Sequence, residues 1–256
     1  MMALFPGGRP GMFARPAWLS RGTRVTLRQI YYDDAQRPTL DRGFVPYDNR
    51  SNSDPTWREY HVFRSEYLSG RIPAEGVTGY VSWKFGLKTG TTGAAFRAFI
   101  CRRPGHDVYC ISPPGIDPLP FPNVWLQGEH HHPGILHLAR RVFQHVGVEC
   151  DPETVHMPAG RVLYCNYWAG TRRFWDRYMA FCEPVRDCLL HGLDEADRRL
   201  LHSRADRLID ACYIPFIMER LFSTLLAVAP DISCASWEAA RDAPPRRGWF
   251  RRRRAA

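Results

Sequence analysis

Apolar and polar positions follow two periods along the chain, and these periods predict which segments form strands and which form helices. Four segments are rich in β-branched and aromatic residues and predict strands: 24–32, 79–85, 106–111 and 161–169. In 79–85 the two sets of side chains alternate with a period of two, as in a half-buried strand. Apolar residues at helical spacing predict six helices: 55–69, 92–102, 133–146, 172–190, 195–213 and 216–228.

Start and stop residues support several of these helices. Asp54 followed by Pro55 predicts an N-cap and a first helical position, and Gly70 predicts the end of that helix. Gly147 predicts the end of the helix that Pro133 begins. A proline at 184 predicts a kink in the segment 172–190, because its ring cannot fit an unbroken helix.

The order of these elements predicts the fold class. Helical segments of ten or more residues separate the four strand candidates, and such crossovers are required between parallel strands. We therefore expect an α/β fold with a mostly parallel central sheet flanked by helices and a helical C-terminal part. Ligands in such sheets bind at the carboxyl ends of the strands, which here are the loops after Tyr32, Phe85, Ile111 and Tyr167.

The two ends of the chain differ in composition from the middle. Gly, Pro and Arg dominate both ends without any apolar period, so we expect a mobile N-terminal tail over 1–24 and a basic C-terminal tail over 243–256. The segment 25–242 then forms a single α/β domain of the catalytic type. No internal repeat interrupts it.

The net charge of +9 comes from these ends. Residues 1–28 contain five arginines, residues 246–254 contain six, and neither segment contains an acidic residue. The rest of the chain is close to neutral, so the folded body does not offer the basic surface that a nucleic acid requires. Nucleic acid is therefore an unlikely partner, and contact with a polyanion or a membrane surface is an expectation for the tails alone.

Cysteine usage and hydropathy predict a cytoplasmic protein. The eight cysteines form no C-x-x-C pair and lie mostly in apolar runs, which is typical of buried thiols in a reducing compartment. No signal peptide is apparent in the first twenty residues, which glycine and proline interrupt. The most apolar stretch, 216–229, contains Glu219 and Arg220 and falls short of the roughly twenty apolar residues of a membrane span.

Lysine is used in an unusual way. Of the 35 basic residues only Lys84 and Lys88 are lysines, four positions apart in a segment that also contains Gly86 and Gly90. A compact ammonium suits a phosphate or a sugar hydroxyl, and the glycines would let a ligand approach the backbone. The alternative is that both are exposed loop lysines in a chain biased toward arginine. The phosphate-loop pattern G-x-x-x-x-G-K-[ST] is absent.

A second polar segment, 127–132, precedes the helix that begins at Pro133. Adjacent histidines point in different directions and lack the spacing of a zinc site, so we do not expect a metal there. One member, Glu129 or His132, could act as a general base or bind a hydroxylated substrate. The alternative is a polar loop without chemistry.

Several familiar signatures are missing. The chain has no G-x-S-x-G, no G-x-G-x-x-G after the first strand and no D-x-D at a strand end. Asp33-Asp34 and Asp107 are the nearest substitutes for the acidic pair that many nucleotide-sugar enzymes use to hold a cation. The cofactor therefore stays open: a manganese or magnesium ion is compatible with the chain, but its usual motif is absent.

Aromatic residues recur beside polar ones, as in Trp57-Arg58-Glu59-Tyr60 and Cys165-Asn166-Tyr167-Trp168. Sugar rings stack on aromatic faces while their hydroxyls bond to neighbouring amides and carboxylates. The alternative is that most of these rings belong to the core. On the first interpretation the candidate sugar-binding residues are Glu59, Tyr60, Trp83 and Asn166.

Taken together, these segments resemble a bacterial glycosyltransferase-like family associated with capsule and lipopolysaccharide biosynthesis. The resemblance covers about 30–227 and rests on the following motifs: Tyr31-Tyr32-Asp33, Asp48-Asn49, Trp57-Arg58-Glu59-Tyr60, Ser82-Trp83-Lys84-Phe85, Lys88-Thr89-Gly90, Asp107-Val108-Tyr109, Gln127-Gly128-Glu129, His132-Pro133-Gly134, Cys165-Asn166-Tyr167, Phe174-Trp175 and Glu219-Arg220. It implies a GT-A-like, Rossmann-like sheet, from whose metal-dependent members the chain departs by lacking D-x-D.

The activity that this resemblance implies is transfer of a sugar from a nucleotide-sugar donor to a surface-glycan acceptor. In that scheme Lys84, Lys88 and Arg220 bind the donor phosphates, where charge develops as the leaving group departs. Asp107 takes the place of the usual acid at the donor. Glu129 or His132 deprotonates the acceptor hydroxyl.

Two other functions stay open. The chain could be a noncatalytic protein of polysaccharide assembly that binds glycans through aromatic clefts. It could also be a membrane-surface or polyanion partner that acts through 246–254, where Trp249 and Phe250 accompany the arginines. In that case we expect a cytoplasmic protein held peripherally at the inner membrane.

Overall fold

A computed structural model describes residues 23–113, 121–206 and 210–237, and these residues form an α/β fold. Six strands make one sheet: β1 Val25–Tyr31, β2 Val45–Asp48, β3 Val77–Ser82, β4 Val108–Ile111, β5 Trp168–Gly170 and β6 Cys234–Trp237. Their order is β2-β1-β3-β5-β4-β6. Only β5 runs against its neighbours, so the sheet is mostly parallel, as the sequence predicts.

The strands alternate with helices that cover the sheet. The α-helices are α1 Glu59–Leu68, α2 Phe85–Thr89, α3 Gly93–Arg102, α4 Val124–His131, α5 Ile135–Val146, α6 Arg172–Asp187, α7 Glu195–His202 and α8 Ile214–Val228. Short 3₁₀ turns occupy Asp34–Thr39, Pro55–Trp57 and Ala159–Arg161, and α6 continues into a π-helical turn, Cys188–Gly192. Within the three described ranges, no helix combines the length and apolar character needed to cross a bilayer.

Helices on both faces explain why one strand differs from expectation. Every residue of β3 is buried, so its alternation does not mark a half-exposed strand. The strand also ends at Ser82, and Phe85 begins α2 rather than closing the strand. The two lysines of this segment therefore follow the strand, at its carboxyl end.

The fourth predicted strand is much shorter than expected. Only Trp168–Gly170 forms β5, although the apolar pattern begins at 161. The backbone N–H of Leu163 donates to Oγ of Ser223 in α8 at 2.9 Å, so this part of the segment bonds to a helix side chain instead of a neighbouring strand. The edge strand β6 was not predicted, and it pairs in parallel with β4.

Some helix boundaries differ from those that the sequence predicts. Asp54 makes no side-chain cap, and a 3₁₀ turn at Pro55–Trp57 precedes α1, so the predicted single helix begins later. The helix predicted over 195–213 ends at His202, where Ser203 is extended and its Oγ donates to the carbonyl of Leu200. Gly147 ends α5 in the left-handed conformation, as predicted.

Two apolar clusters form the core, one on each face of the sheet. The larger holds a group of aromatic rings around Trp168, whose ring centroid lies 4.6 Å from that of Trp175 and 5.1 Å from that of Phe63. The smaller contains Phe85 and Phe96. Most aromatic residues of the sequence motifs are thus core residues, which limits the set that a ligand could reach.

The predicted tails lie largely beyond the described residues. Of the segment 1–24 only the last two residues are described, and 243–256 lies wholly outside. The backbone N–H of Val77 donates to the carbonyl of Arg24 at 2.8 Å, which begins the β1–β3 pairing. The expectations about tail-mediated contacts are therefore outside what the structure describes.

Candidate functional site

A cavity of about 490 Å³ opens at the carboxyl edge of the sheet. Its walls come from residues that follow β1, β2 and β3, from Asn166 just before the antiparallel β5, and from the first turn of α1. Pro215, Phe216 and Glu219 of α8 close the opposite side. This is the edge at which open parallel sheets bind ligands, and the volume is in the usual range for small-molecule sites.

Glu219 is the least ordinary group in the cavity. Its side chain is partly buried between α8 and the sheet edge, and no described residue donates a hydrogen bond to its carboxylate. Burial raises its pKa, Arg220 opposes this, Glu59 adds to it and Lys88 opposes it, which leaves the pKa at about 7. A carboxyl group with that pKa changes between acid and base near neutral pH.

Lys88 lies beside Glu219 and contacts a thiol. Its Nζ donates to Sγ of Cys165 at 3.4 Å. Burial lowers the pKa of Lys88, but the neighbouring Cys165 and Glu219 outweigh burial and raise it, so the amine carries its charge. Burial raises the pKa of Cys165 to about 12, which keeps that thiol protonated and weakly nucleophilic.

Lys84 marks the open side of the cavity. Its side chain is exposed, and its Nζ lies 5.2 Å from the centroid of the Trp83 ring. This cation–π contact holds the ammonium over an aromatic face that also lines the cavity. The pair offers a positive charge and an apolar ring surface within one short segment.

A strained backbone position holds the first turn of α1 at the cavity. Arg58 has φ 50 and ψ −130, and among described residues other than glycine it alone has a positive φ. Such a conformation costs about 1–3 kcal/mol in a non-glycine residue. It reverses the chain between Trp57, which is buried in the core, and Glu59, which lines the cavity. The strain therefore places a second carboxylate in the site.

Four polar atoms in the cavity wall have no hydrogen-bond partner among the described residues. They are Oη of Tyr32, Nδ2 of Asn49, Nδ2 of Asn52 and Oδ1 of Asn166, and each is sealed from solvent. Burial and the nearby Glu59 carboxylate raise the pKa of Tyr32 well above its ordinary value, so the phenol keeps its proton. Buried polar atoms without partners are rare in native proteins and need an explanation.

Six residues that the sequence singled out lie together in this cavity: Lys84, Lys88, Glu59, Tyr60, Trp83 and Asn166. They come from three separate chain segments. The hydroxyl of Tyr60 is occupied, because it donates to Oε1 of Glu183 at 2.6 Å. Tyr60 can thus present only its ring to a ligand.

Arg220 does not line the cavity. Its three guanidinium nitrogens donate to the carbonyls of Val124 and Phe216 and to Oε1 of Gln127, at 2.8, 2.9 and 2.8 Å. Burial lowers its pKa to about 10, with Glu219 opposing that change. With these bonds formed, the guanidinium joins α4 to α8 and has little left to offer a donor phosphate.

The other three predicted site residues also lie outside the cavity walls. The carboxylate of Glu129 accepts from the backbone N–H groups of Gly134 and Leu136, both at 2.9 Å, and so caps α5. His132 is buried, and its ring stacks on Phe216 with centroids 3.8 Å apart. Burial lowers the pKa of His132, which favours the neutral ring.

Asp107 lies just before β4, at the amino edge of the sheet, and the cavity opens at the carboxyl edge. Its Oδ2 accepts from the backbone N–H and Oγ of Ser233, both at 2.9 Å, and its Oδ1 accepts from Arg173 at 2.9 Å. The position and bonds of Asp107 therefore belong to the pairing of β4 with the segment before β6. They do not bring it to the cavity.

The cavity residues that were not predicted as site residues include Glu219, Arg58, Tyr32, Asn49 and Asn52. Glu219 had a visible signal, since a carboxylate in an apolar helix pattern has to be explained, but the sequence analysis used it only as part of a resemblance motif and to exclude a membrane span. The two asparagines follow a short strand that no pattern predicted. Asn49 belonged to the Asp48-Asn49 motif, but the place of both asparagines in the cavity depends on the pairing of β2 with β1.

No group of three or more His, Cys, Asp or Glu side chains is arranged to hold a metal ion in 23–113, 121–206 or 210–237. No family model, curated protein or solved structure matches this chain significantly. The fold and the cavity are therefore the observations from which a function can be argued.

Proposed function

We propose that this chain is a glycosyltransferase that moves a sugar from a nucleotide-sugar donor to a hydroxyl group of a glycan acceptor, with Glu219 as the general base. The observation that carries the proposal is the partly buried Glu219 carboxyl, with a pKa of about 7, in a cavity that also contains two lysines and an aromatic ring. The identity of the acceptor as a surface glycan is an expectation from the sequence resemblance.

The lysines suit the phosphate part of such a donor. Lys84 and Lys88 follow β3 directly and share the short helix α2 and its start. An ammonium can neutralise the charge that develops on a diphosphate as the sugar leaves it. Lys88 is held near Glu219 and Cys165, and Lys84 is free to move with the ligand from its place over Trp83.

Glu219 suits the acceptor part. A base is most effective when its pKa is near the working pH, because it is then ionised and still accepts a proton readily. Burial supplies that pKa here, and Glu59 adds to the shift. In the proposed step Glu219 takes the proton of the acceptor hydroxyl, the acceptor oxygen bonds to the anomeric carbon of the donor, and the bond from that carbon to the phosphate oxygen breaks.

The experiment is a turnover assay of the full chain with uridine-, guanosine-, cytidine- and thymidine-diphosphate sugars and a mixed oligosaccharide acceptor, each with and without manganese. Release of the nucleoside diphosphate and a mass increase of the acceptor are the readouts. We expect turnover with one nucleotide class. Glu219→Gln should lower it about 10²–10⁴-fold.

Glu75→Gln is the matched control, since Glu75 is an exposed glutamate away from the cavity and its replacement should leave turnover unchanged. Full turnover in Glu219→Gln would remove Glu219 from the mechanism. Oligosaccharide binding without turnover or nucleotide binding would replace the proposal with a noncatalytic glycan-binding function.

A further inference from the structure

The polar groups of the cavity are divided by charge along the sheet edge. The lysines belong to the segment after β3, whereas Asn49 and Asn52 belong to the turn after β2. Strand β1 and Tyr32, the residue that follows this strand, lie between the two segments. Because neighbouring strands are about 4.8 Å apart, the two segments are separated by roughly 10 Å.

The segment after β2 is held in place by its backbone. The N–H of Asn49 donates to the carbonyl of Tyr31 at 3.0 Å, which continues the β1–β2 ladder by one residue. The N–H of Asn52 then donates to the carbonyl of Asn49 at 3.2 Å. Oδ1 of Asn52 accepts from the N–H of Asp54 at 2.8 Å, so its amide is oriented with Nδ2 left over.

The charged side chain next to these asparagines is already paired within the protein. The nearby Arg50 is bound to Asp34 at 2.7 Å and to Asp48 at 2.6 Å, so its charge is neutralised within the protein. Asn49 is only 8% exposed, and its Nδ2 has no partner. Nδ2 of Asn52 is a second neutral donor, and Oη of Tyr32, which lies near the Glu59 carboxylate, borders the two amides.

We propose that Asn49, Asn52 and Tyr32 form an uncharged subsite that binds a neutral ring of the ligand. The ring carries atoms that accept hydrogen bonds, and it lies about 10 Å from the anionic group of the same ligand. A buried donor without a partner is costly, and a ligand oxygen in this subsite relieves that cost on binding. The three donor atoms have no surface exposed to the cavity. Each side chain therefore has to rotate before it can contact a ligand. The identity of this ring rests on the proposed function, in which it is the nucleobase or the ribose of the donor. A sugar ring of the acceptor presents the same chemistry.

The test is calorimetric titration of the full chain with uridine, guanosine, cytidine and thymidine diphosphates, with inorganic pyrophosphate and with maltose. Pyrophosphate carries the charge without a ring, and maltose carries neutral rings without the charge. We expect one nucleoside diphosphate to bind more tightly than pyrophosphate. Asn49→Leu, which keeps the volume and removes the donor, should weaken that nucleotide about tenfold and leave pyrophosphate within about twofold.

Tyr32→Phe, which removes only the hydroxyl, should show the same pattern, and Lys84→Met should instead weaken both nucleotide and pyrophosphate. Thermal melting of each variant checks the fold, and Asn49→Leu should melt no lower than the parent because no protein bond to its Nδ2 is lost. Equal loss of nucleotide and pyrophosphate affinity in Asn49→Leu, or loss of neither, overturns the subsite.

The subsite and the proposed function fail in different ways. If no nucleoside diphosphate binds but maltose does, the proposed function fails; the subsite survives only if Asn49→Leu weakens maltose. If maltose affinity is then unchanged, the subsite is overturned as well. If none of the probes binds, both proposals are overturned.

Discussion

Two glutamates of this fold have opposite surroundings: one is sealed in the core, and the other is partly buried in the cavity wall. Glu66 of α1 is 2% exposed, and its carboxylate accepts hydrogen bonds from Tyr47, Arg71 and Tyr80 at 3.0, 2.7 and 2.7 Å. Burial alone would raise its pKa, but these bonds outweigh burial and lower it. Glu219 has burial without those bonds, and its pKa is raised to about 7.

The difference separates a carboxylate that stabilises the fold from one that is available for chemistry. A buried charge that accepts hydrogen bonds on both oxygens joins the elements around it, and Glu66 joins α1 to β2, β3 and the segment after α1 in this way. A buried carboxyl without donors weakens the fold and has to be retained for another reason. This comparison supports the role that we propose for Glu219.

The largest stability effect is expected at the satisfied carboxylate. Glu66→Ala leaves the hydroxyls of Tyr47 and Tyr80 without their acceptor and removes the partner of Arg71. We expect the free energy of unfolding to fall by about 3 kcal/mol. Urea unfolding followed by tryptophan fluorescence measures it. With Glu75→Ala as an exposed control, a loss no larger than the control would end the contrast between the two sites.

At Glu219 the expected effect is smaller and has the opposite sign. The folded-state pKa is raised, so between the ordinary value of about 4.3 and about 7 the folded chain holds a proton that the unfolded chain has lost. Ionisation of Glu219 therefore costs stability progressively across that pH range and by a constant amount above it. Glu219→Gln removes the cost, so we expect a gain on the order of 2 kcal/mol at pH 8.

The same variant should gain almost nothing at about pH 3, which lies well below both pKa values, so that both states keep the proton. Urea unfolding of the parent and of Glu219→Gln at the two pH values gives the comparison directly. A gain that is equal at both pH values would mean that packing, and not ionisation, distinguishes the variant. A loss at pH 8 would show that the carboxylate is satisfied in solution.

The smallest effect concerns the tuning of Glu219. Lys88 opposes the rise of the Glu219 pKa, so Lys88→Met should move that pKa further upward. Carbon-13 NMR of glutamate-labelled protein follows the titration without any need for turnover. Lys84→Met is the matched control, because Lys84 does not contribute to the shift at Glu219 and lies over Trp83. An equal movement in the two variants would remove the specific role of Lys88.

Much of this arrangement was predictable from the sequence, because it depends on the composition of short segments and on the residues next to them. The strands β1, β3 and β4 have strong β-forming composition, and their carboxyl ends were expected to carry the site. Lys84 and Lys88 lie there because they follow β3, and Asn166 lies there because it precedes the antiparallel β5. For such residues, position relative to a strand is enough to place the side chain.

The remainder depended on contacts that no local pattern contains. Glu129 and Asp107 looked available as loop carboxylates, but one caps α5 and the other joins β4 to the segment before β6. Glu219 looked like a polar interruption of a core helix, and only the packing of α8 against the sheet edge encloses it beside Glu59 and Lys88. Tertiary contacts decide whether a polar group has hydrogen-bond partners. The sequence alone therefore could not distinguish the hydrogen-bonded carboxylate of Glu66 from that of Glu219.

The antiparallel strand β5 has a consequence for how the chain is made. This three-residue strand is all that joins the parallel half β2-β1-β3 to the parallel pair β4-β6. Its neighbours β3 and β4 are synthesised well before it, so during translation each of these strands has an open edge on which another chain could pair. Gly79 lets the junction close, since a Cβ there would lie 2.6 Å from the carbonyl oxygen of Trp168. The sheet therefore becomes continuous only after residues 168–170 have been synthesised, and such pairing between distant segments is typical of slowly folding topologies.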